Sequence, residues 1–301
     1  MEKNELSESG SLLIGVKVDL VIGNPPYTKG ISMKFIDKIC SDLLTETGEL
    51  IVLHPATPFL SQRPGGNKSY NPTLDKIERH IVSAKFINGN PLFPQVSFYT
   101  PLSITHINLG VDNGGKISVT NVDGTKHAYD GIVNINAWGN YQEYFSIKTK
   151  VEKHGDYIGD RLIKKSSLTE AGYYIPTTSI RGNPDRTSAT VMLKDNFYTP
   201  FTKDEVVLDL SSTKLDTRSI QSIWFATKRE AENCLRYLKG NFARFCLSIL
   251  KLDQHIHQGE LKLIPYLDFK KEWSDAECYK HFKLTQAEIK FIEDRIPKFY
   301  D

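Results

Sequence analysis

The sequence predicts an α/β fold: the second half of a doubly wound sheet, followed by a β-rich module and a helical tail. Strand-like apolar runs alternate with helical patterns through residues 16–109. Near residue 114 the sequence changes to short alternating runs among Gly, Asn and Asp, which indicates a β-rich module. Capping boxes then mark helix starts towards the end of the chain. We therefore predict three domains, at residues 1–113, 114–225 and 226–301.

The first domain is predicted from its alternation of strands and helices. Apolar residues recur at helical spacing before Gly48, which is expected to stop that helix. The predicted strands are residues 11–23 (one or two short strands), 49–54, 84–87 and 97–109, and the predicted helices are residues 32–46 and 73–82. This β-α-β-α-β-β order fits a doubly wound sheet that closes with a reversed strand.

The two later regions are predicted from local signals. Short alternating runs indicate strands in the β-rich module, and S/T-x-x-E capping boxes indicate helix starts in the tail. The first capping box is expected to open one helix whose apolar side reaches Leu250. The strand-like runs are residues 116–119, 132–135 and 173–175, and the capping boxes begin at Thr227, Ser274 and Thr285.

The composition is that of a globular protein without a membrane span. The 301 residues are 40% hydrophobic and 25% charged, and no uncharged stretch reaches membrane-spanning length. Residues 1–10 are polar and acidic, unlike a signal peptide, and the four scattered cysteines form no CxxC pair. We expect a cytoplasmic protein with free thiols, no metal and no membrane partner. Because the formal net charge is only +2, any contact with nucleic acid must come from local basic surface.

The chemistry of the chain is concentrated in Asn24-Pro25-Pro26-Tyr27, which directly follows an apolar run. The two prolines stiffen the turn and remove two backbone donors. The side-chain oxygen of Asn24 and the carbonyl of Pro25 can both accept from one exocyclic amino group, which makes its nitrogen a better nucleophile toward a methyl donor. Tyr27 offers a face to a base removed from its stack. An ordinary turn is the alternative, although open α/β sheets bind their ligands at such strand ends.

This motif resembles the catalytic motif of the adenine-N6 DNA methyltransferases of the gamma order, which occur in restriction-modification systems. The resemblance implies methyl transfer from S-adenosyl-L-methionine to an adenine flipped out of double-stranded DNA. It implies that Asn24, Pro25, Pro26 and Tyr27 are catalytic residues. It also implies that the predicted sheet is the second half of a Rossmann-like methyltransferase sheet.

A second motif, Phe93-Pro94-Gln95, resembles the loop that precedes the reversed strand in the same family. The resemblance implies that Phe93 stacks on the flipped adenine opposite Tyr27. Such stacking contributes about 1–3 kcal/mol per base. Phe98 or Tyr99 could take this role instead, and a core aromatic at a strand end is the other interpretation of Phe93.

The resemblance also implies a target-recognition module after the last catalytic strand. Arginine bidentate to guanine and asparagine to adenine would be its means of reading a sequence. Each basic residue taken alone is more typical of a solvated surface, but the set predicts a DNA footprint. The predicted DNA-binding residues are Lys148, Lys150, Lys164, Lys165, Arg181 and Arg186.

The binding site for S-adenosyl-L-methionine is expected to be incomplete. The family holds the cofactor with a glycine-rich turn and an acidic residue, and in the gamma order both precede the catalytic motif. Only 23 residues precede Asn24, and the later glycine groups have the spacing of ordinary turns. We therefore expect a truncated gene, an expressed fragment, or one subunit of a split enzyme. In the last case a second polypeptide carries the cofactor half and docks at the strand edge of residues 16–22.

One competing pattern lies near the end of the chain. Asp253, His255, His257 and Glu260 have the residue types of a divalent-metal site, and Glu260-Leu261-Lys262 matches half of a nuclease signature. Short patterns of this kind arise easily by chance. His54 and the other scattered histidines are interpreted as structural.

Two functional hypotheses follow. The first is a site-specific adenine-N6 DNA methyltransferase that needs a cofactor-binding partner. The second is a catalytically inactive DNA-binding specificity or regulatory protein of a restriction-modification system, which keeps the base pocket but lacks the cofactor half. Methylation that depends on a partner would favour the first, and DNA binding without methylation would favour the second.

Overall fold

The structure of the chain is a computed structural model. The structure describes residues 16–27, 30–60, 72–95, 101–136, 138–164, 172–176, 192–193, 197–198, 208–209, 221–250 and 259–296. The chain divides into two compact units, Met1–Asn140 and Tyr141–Asp301. No helix among the described residues is both long enough and apolar enough to cross a membrane.

The described strands of the first unit form a six-stranded mixed sheet. Its strands are β1 (Val18–Gly23), β2 (Leu44–Pro55), β3 (Ile81–Ile87), β4 (Leu102–Asn108), β5 (Lys116–Thr120) and β6 (Lys126–Asp130). They lie in the order β1-β2-β4-β3-β5-β6. β1 and β2 are parallel, whereas β4 is antiparallel to both β2 and β3. The molecule is therefore mixed α/β, with the reversed strand between β2 and β3.

Among the described residues of this unit, three α-helices cover one face of the sheet. They are α1 (Ile31–Lys38), α2 (Thr57–Leu60) and α3 (Pro72–Ile77). Alternate residues of the central strands, including Leu50 and Val52 of β2, are fully buried and join helix residues such as Ile36 and Phe59 in one apolar cluster. On the opposite face, Ile22 is 72% exposed. The apolar alternation of β2 thus sets which face the helices cover.

Three sequence predictions for this unit are corrected. The first helix ends at Lys38, continues as a π-helical turn over Ile39–Leu43, and gives way to β2 at Leu44, so Gly48 lies inside a strand. Pairing with β1 and β4 outweighs the local helical spacing there. The run at residues 132–135 forms a 3-10 turn, Ile132–Asn134, and no strand.

The boundary of the first unit also differs from the position predicted at residue 113. β5 pairs in parallel with β3, and β6 pairs with β5, so both strands belong to the first sheet. The unit accordingly extends to Asn140. This boundary depends on pairing between distant strands, and a local change of composition does not reveal such pairing.

The second unit contains a small sheet and several helices. Its described strands are β7 (Leu162–Lys164), β8 (Tyr173–Pro176), β9 (Met192–Leu193), β10 (Phe197–Tyr198), β11 (Leu208–Asp209) and β12 (Gln221–Phe225). Among these described strands, four form a sheet in the order β11-β8-β12-β7, and β9 pairs with β10. The helices are α4 (Gln142–Glu152), α5 (Lys228–Lys239), α6 (Asn241–Leu250), α7 (Asp275–His281) and α8 (Gln286–Arg295).

The helix starts of the second unit follow the predicted capping boxes. Ser274 and Thr285 form complete boxes at α7 and α8, and the Thr227 side chain accepts from a backbone N–H of α5. The single helix predicted from Thr227 to Leu250 is split at Gly240. There the Asp275 carboxylate accepts from the first two N–H groups of α6, at 2.9 Å each, and caps the new helix.

Candidate functional site

The sheet brings three loops of the first unit to one edge. β1, β2 and β3 run in the same direction, because β1 is parallel to β2 and both β2 and β3 are antiparallel to β4. Their carboxyl ends therefore lie together. This edge carries Asn24–Tyr27 after β1, the corner that begins at Pro55 after β2, and the Phe93 loop after β3. Ligands of open α/β sheets bind at such an edge.

The Asn24–Tyr27 corner is held by its own side chains. The Tyr27 hydroxyl donates a 2.6 Å hydrogen bond to the side-chain oxygen of Asn24. Burial raises the pKa of Tyr27, so the hydroxyl keeps the proton that it donates. Asn24 is exposed while Pro25 is buried, so the corner is anchored beneath and open at the asparagine. Because an amide oxygen has two lone pairs, this bond leaves Asn24 able to accept from a second donor.

The loop after β3 is also locally closed. The Asn88 side chain accepts from the Asn90 N–H at 2.9 Å, and the N–H of Phe93 donates to the Gly89 carbonyl at 3.0 Å. Phe93 is half-buried. β1 and β3 are three strand spacings apart, or about 14 Å, and the ends of β2 and β4 lie between them. Phe98 and Tyr99 lie outside the described residues.

A series of buried, hydrogen-bonded polar side chains lies under this edge, and the sequence did not predict it. The His54 ring lies in the core, and its Nδ1 is 2.8 Å from the Pro55 carbonyl, which can only accept. Burial lowers the pKa of His54 to about 4, so the ring is neutral and its Nε2 accepts from the Thr105 hydroxyl at 2.8 Å. The Ser103 hydroxyl then donates to Thr105 at 2.9 Å. Nothing in the sequence around His54 signals these partners.

The described residues do not fit the adenosine end of S-adenosyl-L-methionine. The parallel strands β1 and β2 end in proline corners, at Pro25 and Pro55. The loop after β3 contains Gly89, but its turn is closed by Asn88, and its described residues, up to Gln95, lead into no helix. Among the residues described, no glycine-rich turn therefore follows a strand and opens a helix in the way that nucleotide binding requires.

The predicted DNA-binding residues have different surroundings. Lys148 lies 3.5 Å from Glu152 on α4. The Lys150 ammonium donates to both carboxylate oxygens of the buried Glu288, at 2.9 and 2.7 Å, which makes it part of the packing between α4 and α8. Lys164 ends β7. Lys165, Arg181 and Arg186 lie outside the described residues.

The competing metal pattern is only partly described. Glu260 begins a 3-10 turn, Glu260–Leu263, while Asp253, His255 and His257 lie outside the described residues. Within the described part of the chain, no group of three or more His, Cys, Asp or Glu side chains could hold a metal ion.

Comparison with known proteins gives a distant structural similarity. No protein-family model and no curated protein matches the sequence. Among solved structures, the chain is similar to the type IIG restriction endonuclease BpuSI, with a TM-score of 0.34 and 10% sequence identity. The similarity covers 93% of this chain but 54% of that one, so the chain spans little more than half of the endonuclease. A TM-score this low establishes neither a shared fold nor a shared function.

Proposed function

We propose that this chain is the base-binding and recognition part of an adenine-N6 DNA methyltransferase. The observation that carries the proposal is the Asn24–Tyr27 corner. An exposed amide oxygen, held by the Tyr27 hydroxyl, follows a parallel strand at the ligand-binding edge of the sheet. The position and chemistry of these groups suit an extruded base with an exocyclic amino group.

The corner supplies the acceptors that this substrate requires. The Asn24 side-chain oxygen and the Pro25 carbonyl would accept the two protons of the adenine amino group. The diproline limits the backbone angles and the Tyr27 hydroxyl holds the Asn24 amide oxygen, so this acceptor would be pre-positioned before DNA arrives. This arrangement concentrates electron density on the amino nitrogen. The chain's contribution to the reaction is therefore to bind, orient and polarise the base.

Stacking supplies the second contribution. Tyr27 and Phe93 lie in loops at the same edge, on either side of the ends of β2 and β4. A purine inserted between these loops would exchange stacking in the duplex for stacking on aromatic side chains. About 1–3 kcal/mol per base from each ring offsets part of the unstacking cost.

The methyl donor needs a site that the described residues do not provide. S-adenosyl-L-methionine would be held by a second polypeptide that carries the glycine-rich cofactor half. We therefore assign no step of methyl transfer to this chain's own residues beyond the preparation of the adenine. DNA contacts outside the base site are assigned to the second unit, with Lys148 and Lys164 as the candidates among the described residues.

A second candidate function rests on the same observation about the cofactor. A chain that keeps the base corner but no cofactor turn also suits a DNA-binding specificity or regulatory protein of a restriction-modification system. Such a protein would bind DNA in every combination with its partners and would never methylate it.

Methylation assays separate the two functions. The chain is co-expressed with each neighbouring gene product, and N6-methyladenine is measured by mass spectrometry of the digested DNA. The methyltransferase proposal predicts methylation that Asn24→Ala abolishes. The matched control is Asn108→Ala, because Asn108 also makes a side-chain hydrogen bond, to Glu49, but lies at the far end of β4. DNA binding without methylation in every combination supports the regulatory protein instead.

A further inference from the structure

The order of the strands identifies the residues that would lie beneath a base bound at this edge, and we call them the floor of the base site. Tyr27 follows β1 and Phe93 follows β3, and the strands between them are β2 and β4. At this edge β2 ends in Pro55 and β4 begins with Leu102, and these two residues are paired. The Ala56 N–H donates to the Pro101 carbonyl at 2.9 Å and ties the two strand ends together. A base held between the aromatic rings would rest on Pro55, which is half-buried, because Ala56 and Leu102 are fully buried.

The floor is tied to the core by His54. Its Nδ1–H donates to the Pro55 carbonyl and fixes the orientation of the peptide that joins Pro55 to Ala56. Its Nε2 accepts from Thr105, whose oxygen accepts in turn from Ser103 on the same face of β4. The ring also packs against Phe59 of α2, with 5.7 Å between ring centroids. Each donor in this series of hydrogen bonds has one acceptor, so the direction of every hydrogen bond is determined.

We propose that the His54–Thr105–Ser103 chain positions the floor of the adenine site, and that His54 is a positioning residue for base recognition. This inference rests on the proposed function. His54 does not touch the base. It acts through the Pro55 carbonyl, whose orientation determines where the purine ring lies relative to Asn24. A shift of this peptide would move the amino group away from its acceptors while leaving the rest of the DNA contact unchanged.

The test uses two labelled DNA duplexes that differ by one amino group. One carries an unpaired adenine and the other an unpaired purine without the 6-amino group, each opposite an abasic site. An unpaired base is the least costly to extrude. The ratio of the two dissociation constants reports recognition of the amino group, and the affinity for the purine duplex reports all other contacts.

Each of two substitutions of His54 keeps one of its two hydrogen bonds and removes the other. In His54→Asn the side-chain amide can replace Nδ1 and keep the bond to Pro55. In His54→Gln the amide reaches the position of Nε2, so it keeps the bond to Thr105 and loses the one to Pro55. Thr105→Val removes the hydroxyl that orients the ring, so Nδ1 is no longer held at the Pro55 carbonyl, whereas the shorter amide of His54→Asn needs no partner at Thr105. Thr105→Val therefore serves if His54→Gln does not fold.

The inference predicts a split between these variants. His54→Gln and Thr105→Val should lower the preference for adenine about fivefold, while affinity for the purine duplex changes less than about twofold. His54→Asn should keep the wild-type preference. Ile81→Val is the control: Ile81 is buried at the opposite end of the same sheet, so its loss of stability should leave the preference unchanged.

Three outcomes would overturn the inference. If His54→Gln and Thr105→Val keep the wild-type preference for adenine, the hydrogen bonds of His54, Thr105 and Ser103 do not position the floor of the adenine site. If His54→Asn loses the preference as fully as His54→Gln, the histidine is only a structural residue. If the wild-type chain itself does not distinguish adenine from purine, the proposed function fails and this inference fails with it.

Discussion

Acidification is expected to destabilise the first unit through His54. Burial lowers the pKa of this side chain from 6.5 to about 4. Between these values the unfolded chain binds a proton that the folded chain does not, so the free energy of unfolding falls as the pH falls. The shift of about 2.5 pKa units corresponds to roughly 3 kcal/mol, which is fully lost only below about pH 4. Protonation would also turn Nε2 from an acceptor into a donor and break the bond from Thr105.

The assay is a comparison of the wild-type chain with His54→Asn. Hydrogen exchange of the β2 and β4 amides, followed by mass spectrometry from pH 7 to pH 4.5, gives the free energy of unfolding of this unit. Other titrating groups contribute equally to both proteins, so the difference between them isolates His54. We expect the stability advantage of the wild type to shrink by about 1.4 kcal/mol per pH unit below pH 6. A difference that stays constant over this range would refute a neutral, buried His54.

Further predictions concern the corner and the second unit. Tyr27→Phe should keep base affinity within about threefold, because it removes one hydrogen bond and keeps the ring, whereas Tyr27→Ala should lower it at least fivefold, by about 1 kcal/mol or more of lost stacking; equal effects of the two variants would exclude stacking. Lys150→Met should cost about 3 kcal/mol in urea unfolding, because it leaves the buried Glu288 carboxylate without its cation; a stable variant with weakened DNA binding would instead favour a phosphate contact. Ser274→Ala should cost about 1 kcal/mol in the same assay through loss of the capping box at α7, and an unchanged unfolding midpoint would contradict this.

The parts of the fold that depend on neighbouring residues were predictable from the sequence. The capping boxes at Ser274 and Thr285 each involve residues three positions apart, and both form as predicted. The end of the first helix was predicted wrongly, because Leu44 is drawn into a strand by pairing with Val18 across 26 positions of the chain. Long-range pairing of this kind leaves no signal in a local apolar pattern.

The candidate site also has one part that the sequence predicts and one part that depends on distant residues. The Asn24–Tyr27 corner is contiguous, so its stiffness and acceptors could be inferred from four residues. The bond between His54 and Thr105 joins residues 51 positions apart, and it exists only because β2 and β4 are adjacent in the sheet. No feature of the sequence around a histidine at the end of an apolar run predicts that a hydroxyl group will bond to it. The structure was needed to identify it.

The most direct test of the central claim is the preference of Asn24→Ala for unpaired adenine over unpaired purine in a DNA duplex. Two hydrogen bonds to the amino group contribute together about 1–3 kcal/mol, so the wild-type chain should bind the adenine duplex at least fivefold more tightly. Asn24→Ala removes one of these two acceptors, so it should lower the preference at least about twofold and keep its affinity for the purine duplex. An undiminished preference in Asn24→Ala would contradict the proposal that the corner receives the adenine amino group.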